Sequence, residues 1–465
     1  MAFIKSISGF RGTIGGLAGD NFTPEDIVSC TAAYGTWLIG EGKAPKVVVG
    51  RDARPSGSMV AQLVSSTLQS LGIQVVDLGL STTPTVEMAV PALGAGGGII
   101  LTASHNPKEW NALKLLNEKG EFISAADGKS LLQLVDDARI TYATVDELGG
   151  YESNDSMLQH HFEQVWNHPL VDVGAVKERH FRVIVDAINS TGALALPPLL
   201  EEMGCEVTVL NGEMNGQFAH NPEPLPQHLT DLSKAVEEQQ ADLGIAVDPD
   251  VDRLAFVGPG GQWIGEEYTL VLVADYVLQH RPGPVVSNLS SSRALRVIAE
   301  RHGQTYHASA VGEVNVVEKM KAVEAVIGGE GNGGIIDPHL HYGRDALVGI
   351  ALFLSHLAQA EMSASRLRAK YPNYYISKNK IELTPELDVD KVLEAIREKY
   401  SKNPVNTIDG VKIEFDKEWV HLRKSNTEPI IRIYSESENE ATSEHLANKI
   451  IMDIKDIIAE GRNSD

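Results

Sequence analysis

The sequence predicts an α/β protein of several domains, three of them built alike with mixed sheets and a fourth of α+β type. Three observations support this. A unit of strand, polar turn, glycine-stopped helix and second strand occurs three times; 465 residues exceed what one hydrophobic core serves; and the grammar changes after Tyr374, where short strands and charged helices take over.

In the first unit Val47-Val48-Val49-Gly50 leads through Arg51-Asp52-Ala53-Arg54-Pro55-Ser56 into a helix ended near Leu71-Gly72, then a strand over 73–78. The second runs from a strand over 181–186 through a helix over 191–204 to a strand over 205–210. The third begins at Val285-Val286-Ser287, with a helix ending at His302-Gly303 and a short strand over 304–307. Glycine after each helix accepts the left-handed turn that a helix end favours, and such units form right-handed crossovers in parallel or mixed sheets. The last part reads as Ile381-Glu382-Leu383, a charged helix over 389–400, strands near 410–415 and 419–422, and an amphipathic helix over 441–459. Breaks at Gly149-Gly150, Gly258-Pro259-Gly260-Gly261 and Tyr371-Pro372-Asn373 divide the chain into residues 1–150, 151–256, 257–374 and 375–465.

Composition excludes several roles. Hydrophobic residues make up 43% and charged residues 22%, as in an ordinary soluble globular protein. Two cysteines, Cys30 and Cys205, give neither a disulfide framework nor a cysteine metal site, and suit a reducing compartment, with the cytoplasm as the expectation. No secretory pattern opens the chain, and no stretch approaches the ~20 apolar residues that span a bilayer, so no membrane role is expected. A formal charge of -23 repels nucleic acid and anionic lipid. Any anionic ligand therefore needs a local basic pocket.

Four loops carry candidate chemistry. The apolar run before Thr102-Ala103-Ser104-His105-Asn106-Pro107 reads as a buried strand that brings Ser104 onto a turn, where its hydroxyl can act as a nucleophile; turn former or helix cap is the plain alternative. Asn111 and Lys114 follow closely. Asp248-Pro249-Asp250-Val251-Asp252-Arg253 places a carboxylate at every second residue. Pro249 forbids a continuing helix, so an extended loop projects the three acids to one side, around a cation such as Mg²⁺. A solvated acidic turn is the alternative, and an EF-hand fails because Arg253 and Pro259 stand where Gly and Glu belong.

Gly328-Gly329-Glu330-Gly331-Asn332-Gly333-Gly334 reads as a flexible loop whose Glu330 and Asn332 suit sugar hydroxyls, or else as a plain glycine turn. Arg423-Lys424-Ser425-Asn426-Thr427-Glu428-Pro429, with Arg432, lies between two strands and is the best phosphate cradle in so acidic a chain; a hairpin with a basic face is the alternative. Other motifs fail. Gly128-Lys129-Ser130 has Ile123 where a P-loop needs glycine, residues 94–98 precede a strand instead of opening a helix, and no Gly-x-Ser-x-Gly surrounds Ser104. His339 and His341 lack a visible third ligand and read as a surface loop.

Together these loops, in this order, resemble the α-D-phosphohexomutase family, which includes phosphoglucomutases, phosphomannomutases and phosphoglucosamine mutases. The resemblance covers essentially the whole chain, with Gly9-Phe10-Arg11-Gly12 and Gly50-Arg51-Asp52-Ala53-Arg54 falling at the family's arginine motifs. It implies four domains around a central cleft, each giving one loop. It further implies phosphorylation of Ser104, with Mg²⁺ held by that residue, Asp248, Asp250 and Asp252. Lys114 stands at the general acid/base position, with His105, Arg253 and Arg11 beside the reacting group. Glu330 and Asn332 would hold the sugar, and Arg423, Ser425, Asn426, Thr427 and Arg432 the phosphate that does not react. A lysine can exchange protons near neutral pH if its pKa is lowered, and that is the expectation for Lys114.

The implied reaction interconverts hexose 6-phosphate and hexose 1-phosphate through a 1,6-bisphosphate, which also serves as activator. It turns round between its two phosphoryl transfers, the C-terminal domain closing as a lid. Sugar phosphates are the expected partners of a monomer or homodimer. The Glu-x-Asn-Gly-Gly loop departs from the Gly-Glu-Met-Ser-Gly-His of glucose and mannose enzymes and is similar to that of archaeal-like phosphoglucosamine mutases. Glu313 adds a carboxylate suited to an ammonium group at C2. A sugar phosphatase and an inactive sugar-phosphate-binding homologue are the alternatives from other classes.

Overall fold

A computed structural model describes residues 3–6, 9–137, 140–382, 388–424 and 430–462. The chain forms two compact units, Met1–Arg281 with Asn332–Arg368, and Pro282–Gly331 with Ala369–Asp465. No helix among the described residues is long and apolar enough to cross a membrane.

In the first unit a seven-stranded sheet runs Phe3–Ser6, Gly9–Thr13, Trp110–Leu116, Gly97–Leu101, Lys46–Arg51, Gln74–Leu80, Tyr151–Ser153. Lys46–Arg51 pairs in parallel with both Gly97–Leu101 and Gln74–Leu80, whereas Trp110–Leu116 is antiparallel, so the sheet is mixed. Successive side chains of a strand point to opposite faces. Accordingly Val47 and Val49 join one core with helices Pro24–Gly40 and Gly57–Ser70, while Val48 joins another with helix Thr83–Ala92. Gly97 is a glycine for lack of room, since a Cβ there would stand 2.1 Å from the Tyr34 hydroxyl, which donates to the Leu116 carbonyl at 2.7 Å.

A five-stranded sheet follows in the order Gln262–Trp263, Leu254–Gly258, Leu243–Val247, Arg182–Asp186, Glu206–Leu210. Leu243–Val247 is buried along its length, parallel to Arg182–Asp186 and antiparallel to Leu254–Gly258.

In the second unit Val285–Asn288 pairs in parallel with Tyr306–Ser309 and with Ile327–Glu330. An antiparallel sheet runs Tyr375–Glu382, Ile430–Ser437, Trp419–Lys424, Val411–Glu414, Val405–Asn406, and buries Ile396 of helix Val389–Lys399 and Ile450 of helix Glu440–Arg462 against Val420 and Ile431. Polar contacts fasten these two layers. Arg296 grips Glu414 through both terminal nitrogens (2.8 and 2.7 Å), and Lys412 Nζ donates to the Leu289 carbonyl (2.7 Å). His421 Nδ1 meets Ser290 Oγ at 3.0 Å.

The repeated units appear where the sequence places them. Strand Tyr375–Glu382 is longer than the Ile381-Glu382-Leu383 read from sequence, and Ile430–Ser437 is the second of the two strands expected around the basic loop.

Candidate active site

Gly97–Leu101 is buried throughout, so the chain leaves the core with Ser104 just beyond a strand's C-terminal end. Ser104 has a left-handed backbone (φ 49°), uncommon for a residue with a Cβ. Arg54 holds it there. This buried side chain places Nε on Asp52 Oδ2 (2.9 Å), Nη1 on the carbonyls of Pro107 (2.6 Å) and Trp110 (3.0 Å), and Nη2 on those of Asn106 (2.7 Å) and Ser104. Asp52 also accepts from Thr102 Oγ1 (2.6 Å), which in turn accepts the Ser104 N–H (2.9 Å). Only a guanidinium fork reaches four carbonyls of one turn at once.

The acidic loop is a turn, which corrects the extended form expected from Pro249. Val251 N–H donates to the Asp248 carbonyl (3.1 Å), and Val251 is left-handed (φ 62°). That conformation costs a β-branched residue about 1–3 kcal/mol. Its surroundings offset the cost: Ala346 N–H donates to the Val251 carbonyl (3.3 Å), and the Ser190 and Thr191 hydroxyls donate to the Pro249 carbonyl (2.7 and 2.8 Å). The turn still gathers the acids, for ligand oxygens of the buried Asp248, Asp250 and Asp252 lie within 4.8 Å of one another.

Each acid has its own partners. Asp248 Oδ2 accepts the Ser104 hydroxyl (2.7 Å), and its Oδ1 accepts the N–H groups of Asp252 (3.2 Å) and Arg253 (3.1 Å). Asp250 Oδ2 accepts from Thr83 Oγ1 (2.5 Å) and Lys114 Nζ (2.7 Å). Asp252 Oδ2 accepts from Lys114 Nζ (3.2 Å) and Arg344 Nη2 (2.7 Å). Asp250 Oδ1 and Asp252 Oδ1 are buried and accept no hydrogen bond. Burial, reinforced by Asp250 and Asp252, pushes Asp248 well above the usual carboxylate range. Burial would raise Asp252 too, but Arg344, Lys114 and Arg253 outweigh it and hold that carboxyl low.

Lys114 arrives on the strand beside Ser104, paired opposite Ile100. Burial would lower its pKa, but Asp250 and Asp252 outweigh burial and raise it. This reverses the lowered value expected from sequence: two carboxylates at hydrogen-bond distance hold the ammonium. Arg253 Nε lies 4.0 Å from both Asp248 Oδ2 and Asp252 Oδ1, and its Nη1 lies 3.7 Å from Glu223. His105 is pushed well below its ordinary value by burial, then by Arg253, with Arg344 and Arg11 adding to it. The imidazole is therefore neutral. Arg11, on strand Gly9–Thr13 opposite Ala112, belongs to the same charge cluster.

The structure thus brings Ser104, His105, Lys114, Arg253, Arg11 and the three aspartates together within one unit. Mg²⁺ fits this donor set, since it takes carboxylate oxygens at about 2.0–2.1 Å and two buried ones here lack donors.

Of the remaining predicted residues, Asn332 shares this unit, and Glu330, Arg423 and Arg432 belong to the other. Glu330 is buried in the second unit, its Oε1 accepting from Asn288 Nδ2 (2.7 Å) and Gly312 N–H (3.1 Å). Residues 327–330 form a strand, a correction to the flexible loop expected there. At Gly328 a Cβ would stand 2.5 Å from Met320 Sδ and 2.9 Å from the Val286 carbonyl, so close packing explains this glycine. Asn332 belongs to the first unit, and its Oδ1 accepts the Gly334 N–H (3.2 Å). Arg423 and Arg432 face each other in register on adjacent strands, Arg423 Nε pairing with Asp409 (2.8 Å) and Arg432 exposed. Ser425, Asn426 and Thr427 lie outside the described residues.

His341 corrects the surface-loop reading. It sits between Glu87 (3.5 Å) and Asp345 (3.3 Å), and the same Asp345 oxygen also meets His161 (2.9 Å). Among the described residues the three aspartates are the only group of acids, histidines or cysteines able to hold a metal ion. Arg54, Thr83, Ser190 and Arg344 escaped the sequence reading as contributors. The first three stand in turns or first helical positions after strands, where α/β sites form. Arg344 shows only as a lone cation shortly before an apolar stretch.

Sequence profiles of known families match four consecutive stretches. They are described as phosphoglucomutase/phosphomannomutase α/β/α domains I, II and III, over residues 5–140, 159–261 and 265–375, and the C-terminal domain, over 380–452. The chain belongs to the α-D-phosphohexomutase family. This phosphohexomutase is 38% identical over 436 residues to a phosphoglucomutase/phosphomannomutase of Thermococcus kodakarensis, covering 92% of the chain and 94% of that relative. It is 33% identical over 450 residues to a phosphoglucosamine/phosphogalactosamine mutase of Sulfurisphaera tokodaii, with 95% and 97% covered. Its fold matches the crystal structure of a phosphoglucomutase/phosphomannomutase family protein from Burkholderia thailandensis with a TM-score of 0.84 at 25% identity, over 96% of each chain. Four family domains, mixed α/β sheets and a C-terminal antiparallel sheet are thus the architecture of this phosphohexomutase.

Proposed function

We propose that this phosphohexomutase interconverts hexose 6-phosphate and hexose 1-phosphate through a phosphorylated Ser104, with glucosamine phosphate as its preferred substrate. The observation that carries the reaction is the Ser104 hydroxyl 2.7 Å from Asp248 within a buried acid triad. Phosphoryl transfer asks chiefly for alignment and for neutralised phosphate oxygens. Asp248, Asp250, Asp252 and the Ser104 oxygen would hold Mg²⁺, which supplies that neutralisation when bound. Arg253 and Arg11 add positive charge beside the reacting group. Lys114, kept as an ammonium by Asp250 and Asp252, can give a proton to the leaving oxygen, and the neutral His105 can accept one from the attacking hydroxyl.

Glu330 and Asn332 take the sugar hydroxyls. Arg423, Ser425, Asn426, Thr427 and Arg432 take the idle phosphate, and hexose 1,6-bisphosphate restores a dephosphorylated Ser104. The four domains divide near residues 150, 256 and 374, and the enzyme works in the cytoplasm.

The preference for glucosamine rests on Glu313. It is buried directly after Gly312, whose N–H holds Glu330, so two carboxylates stand at neighbouring places in the second unit. Relatives bearing the name phosphoglucosamine mutase support this reading, and the 38% identical relative supports glucose and mannose phosphates as the second. Turnover of glucosamine 6-phosphate, glucose 1-phosphate and mannose 1-phosphate, each with its bisphosphate, decides between them. The largest kcat/KM is expected for the glucosamine compound. Glu313→Ala should lower that value about tenfold and leave glucose 1-phosphate within about threefold, a charged contact being worth that much. Equal losses overturn the preference, and release of inorganic phosphate in place of isomer overturns the mutase reading.

A further inference from the structure

The three aspartates share a pattern that their ligand role alone does not require. Each has at least one oxygen taken by donors of the protein: Asp250 and Asp252 keep the other clear of hydrogen bonds, and the second oxygen of Asp248 accepts the Ser104 hydroxyl. Asp248 Oδ1 is capped by the N–H groups of Asp252 and Arg253, while its Oδ2 faces Ser104. Asp250 Oδ2 is capped by Thr83 and Lys114, and Asp252 Oδ2 by Lys114 and Arg344. The opposite oxygens, Asp250 Oδ1 and Asp252 Oδ1, are buried and accept nothing. A carboxylate with one oxygen committed in this way offers a metal one atom, not two.

We infer that Arg344 and Thr83 are positioning residues that enforce one-oxygen coordination by the triad, and thereby select Mg²⁺ over Ca²⁺. The inference rests on the reading of the triad as a metal site. The two ions differ in what they accept: Mg²⁺ demands near-octahedral geometry with six short bonds, whereas Ca²⁺ takes six to eight oxygens and welcomes two-oxygen carboxylates. Capped carboxylates on a buried turn cannot rotate to offer both oxygens. Arg344 is suited to this task because it is fixed itself. It is buried, and it directly precedes Asp345, which caps helix Ala346–Ala360 through the N–H groups of Leu347 (2.8 Å) and Val348 (3.4 Å) and is held by His161. The guanidinium therefore approaches Asp252 from a rigid helix start.

The test is calorimetric titration of the full-length protein with Mg²⁺ alone and with Ca²⁺ alone, on wild type, Arg344→Met, Arg344→Lys and Thr83→Val, with circular dichroism to verify folding. Activity is not needed. Arg344→Met should reduce the ratio of Mg²⁺ to Ca²⁺ affinity about tenfold by leaving Asp252 Oδ2 only its longer contact with Lys114. Arg344→Lys, which still caps that oxygen, should restore most of the ratio. Thr83→Val tests the same idea at Asp250 without removing a charge, and should shift the ratio in the same direction by about threefold. If both affinities change together and the ratio stays constant in the folded variants, the inference is overturned. If wild type binds no Mg²⁺, the reading of the triad as a metal site falls, and this inference with it.

Discussion

Around Ser104 opposed charges are buried: the three aspartates are 0% exposed, and Lys114, Arg344 and Arg253 reach them from different elements. Arg423 and Arg432, on adjacent strands, are more open, the Arg423–Asp409 pair being 20% and 25% exposed and Arg432 at the surface. The two regions illustrate two uses of charge. Buried groups at fixed distances act at full strength with no rearrangement, whereas exposed pairs are screened and each contributes roughly 0–1 kcal/mol. The first arrangement suits bond making, the second a grip that must engage and release. Under the proposed roles, chemistry sits in one unit and most of the holding in the other.

Ser104→Ala breaks the comparison most severely. It should abolish the phosphoprotein seen by mass spectrometry and lower kcat by about 10⁴ or more, with sugar-phosphate affinity within about threefold of wild type. A variant that keeps turnover would remove Ser104 from the mechanism. Arg54→Lys comes next. A lysine cannot reach Asp52 and four carbonyls together, so denaturant unfolding should show a loss of about 2–4 kcal/mol, and kcat should fall about a hundredfold in the folded fraction.

The second unit has its own buried charge test. Burial and its neighbours push His421 down to about 4, so the folded protein keeps it neutral while an unfolded chain takes up its proton near pH 6.5. Unfolding is therefore favoured progressively as pH falls from about 6.5 to about 4, by up to ~3 kcal/mol, and the slope vanishes below that range. His421→Gln should flatten the difference, read as melting temperature against pH relative to wild type. Smallest is Arg432→Ala, expected to raise KM about tenfold and to leave kcat within about threefold, since it removes a contact made equally before and during transfer. A fall in kcat instead would place Arg432 with the chemistry and erase the distinction.

Much of this was legible in the chain. The strand–turn–helix–strand units, the serine turn and the acid triad stand out because hydrophobic runs and fixed spacings are local signals. What stayed hidden depends on partners distant in sequence. Nothing near Val251 announces a left-handed turn, because the contacts that stabilise it come from Ala346 and from Ser190 and Thr191. Lys114 was expected with a lowered pKa, yet the two carboxylates that raise it lie over 130 residues away in sequence. The glycines before Glu330 looked like flexibility and serve close packing. Strand Tyr375–Glu382 reads short in sequence because its polar residues Ser377, Lys378, Asn379 and Lys380 carry no hydrophobic run.

The fastening of the serine turn by Arg54 has one more implication. With the carbonyls of Ser104, Asn106, Pro107 and Trp110 tied to a single buried side chain, the backbone that carries the seryl oxygen keeps one address. A donor that stays put obliges its cargo to do the travelling. Under the proposed reaction, a sugar that receives a phosphate here meets that oxygen again by its own somersault, and one that drifts off midway leaves behind a bare, idle serine.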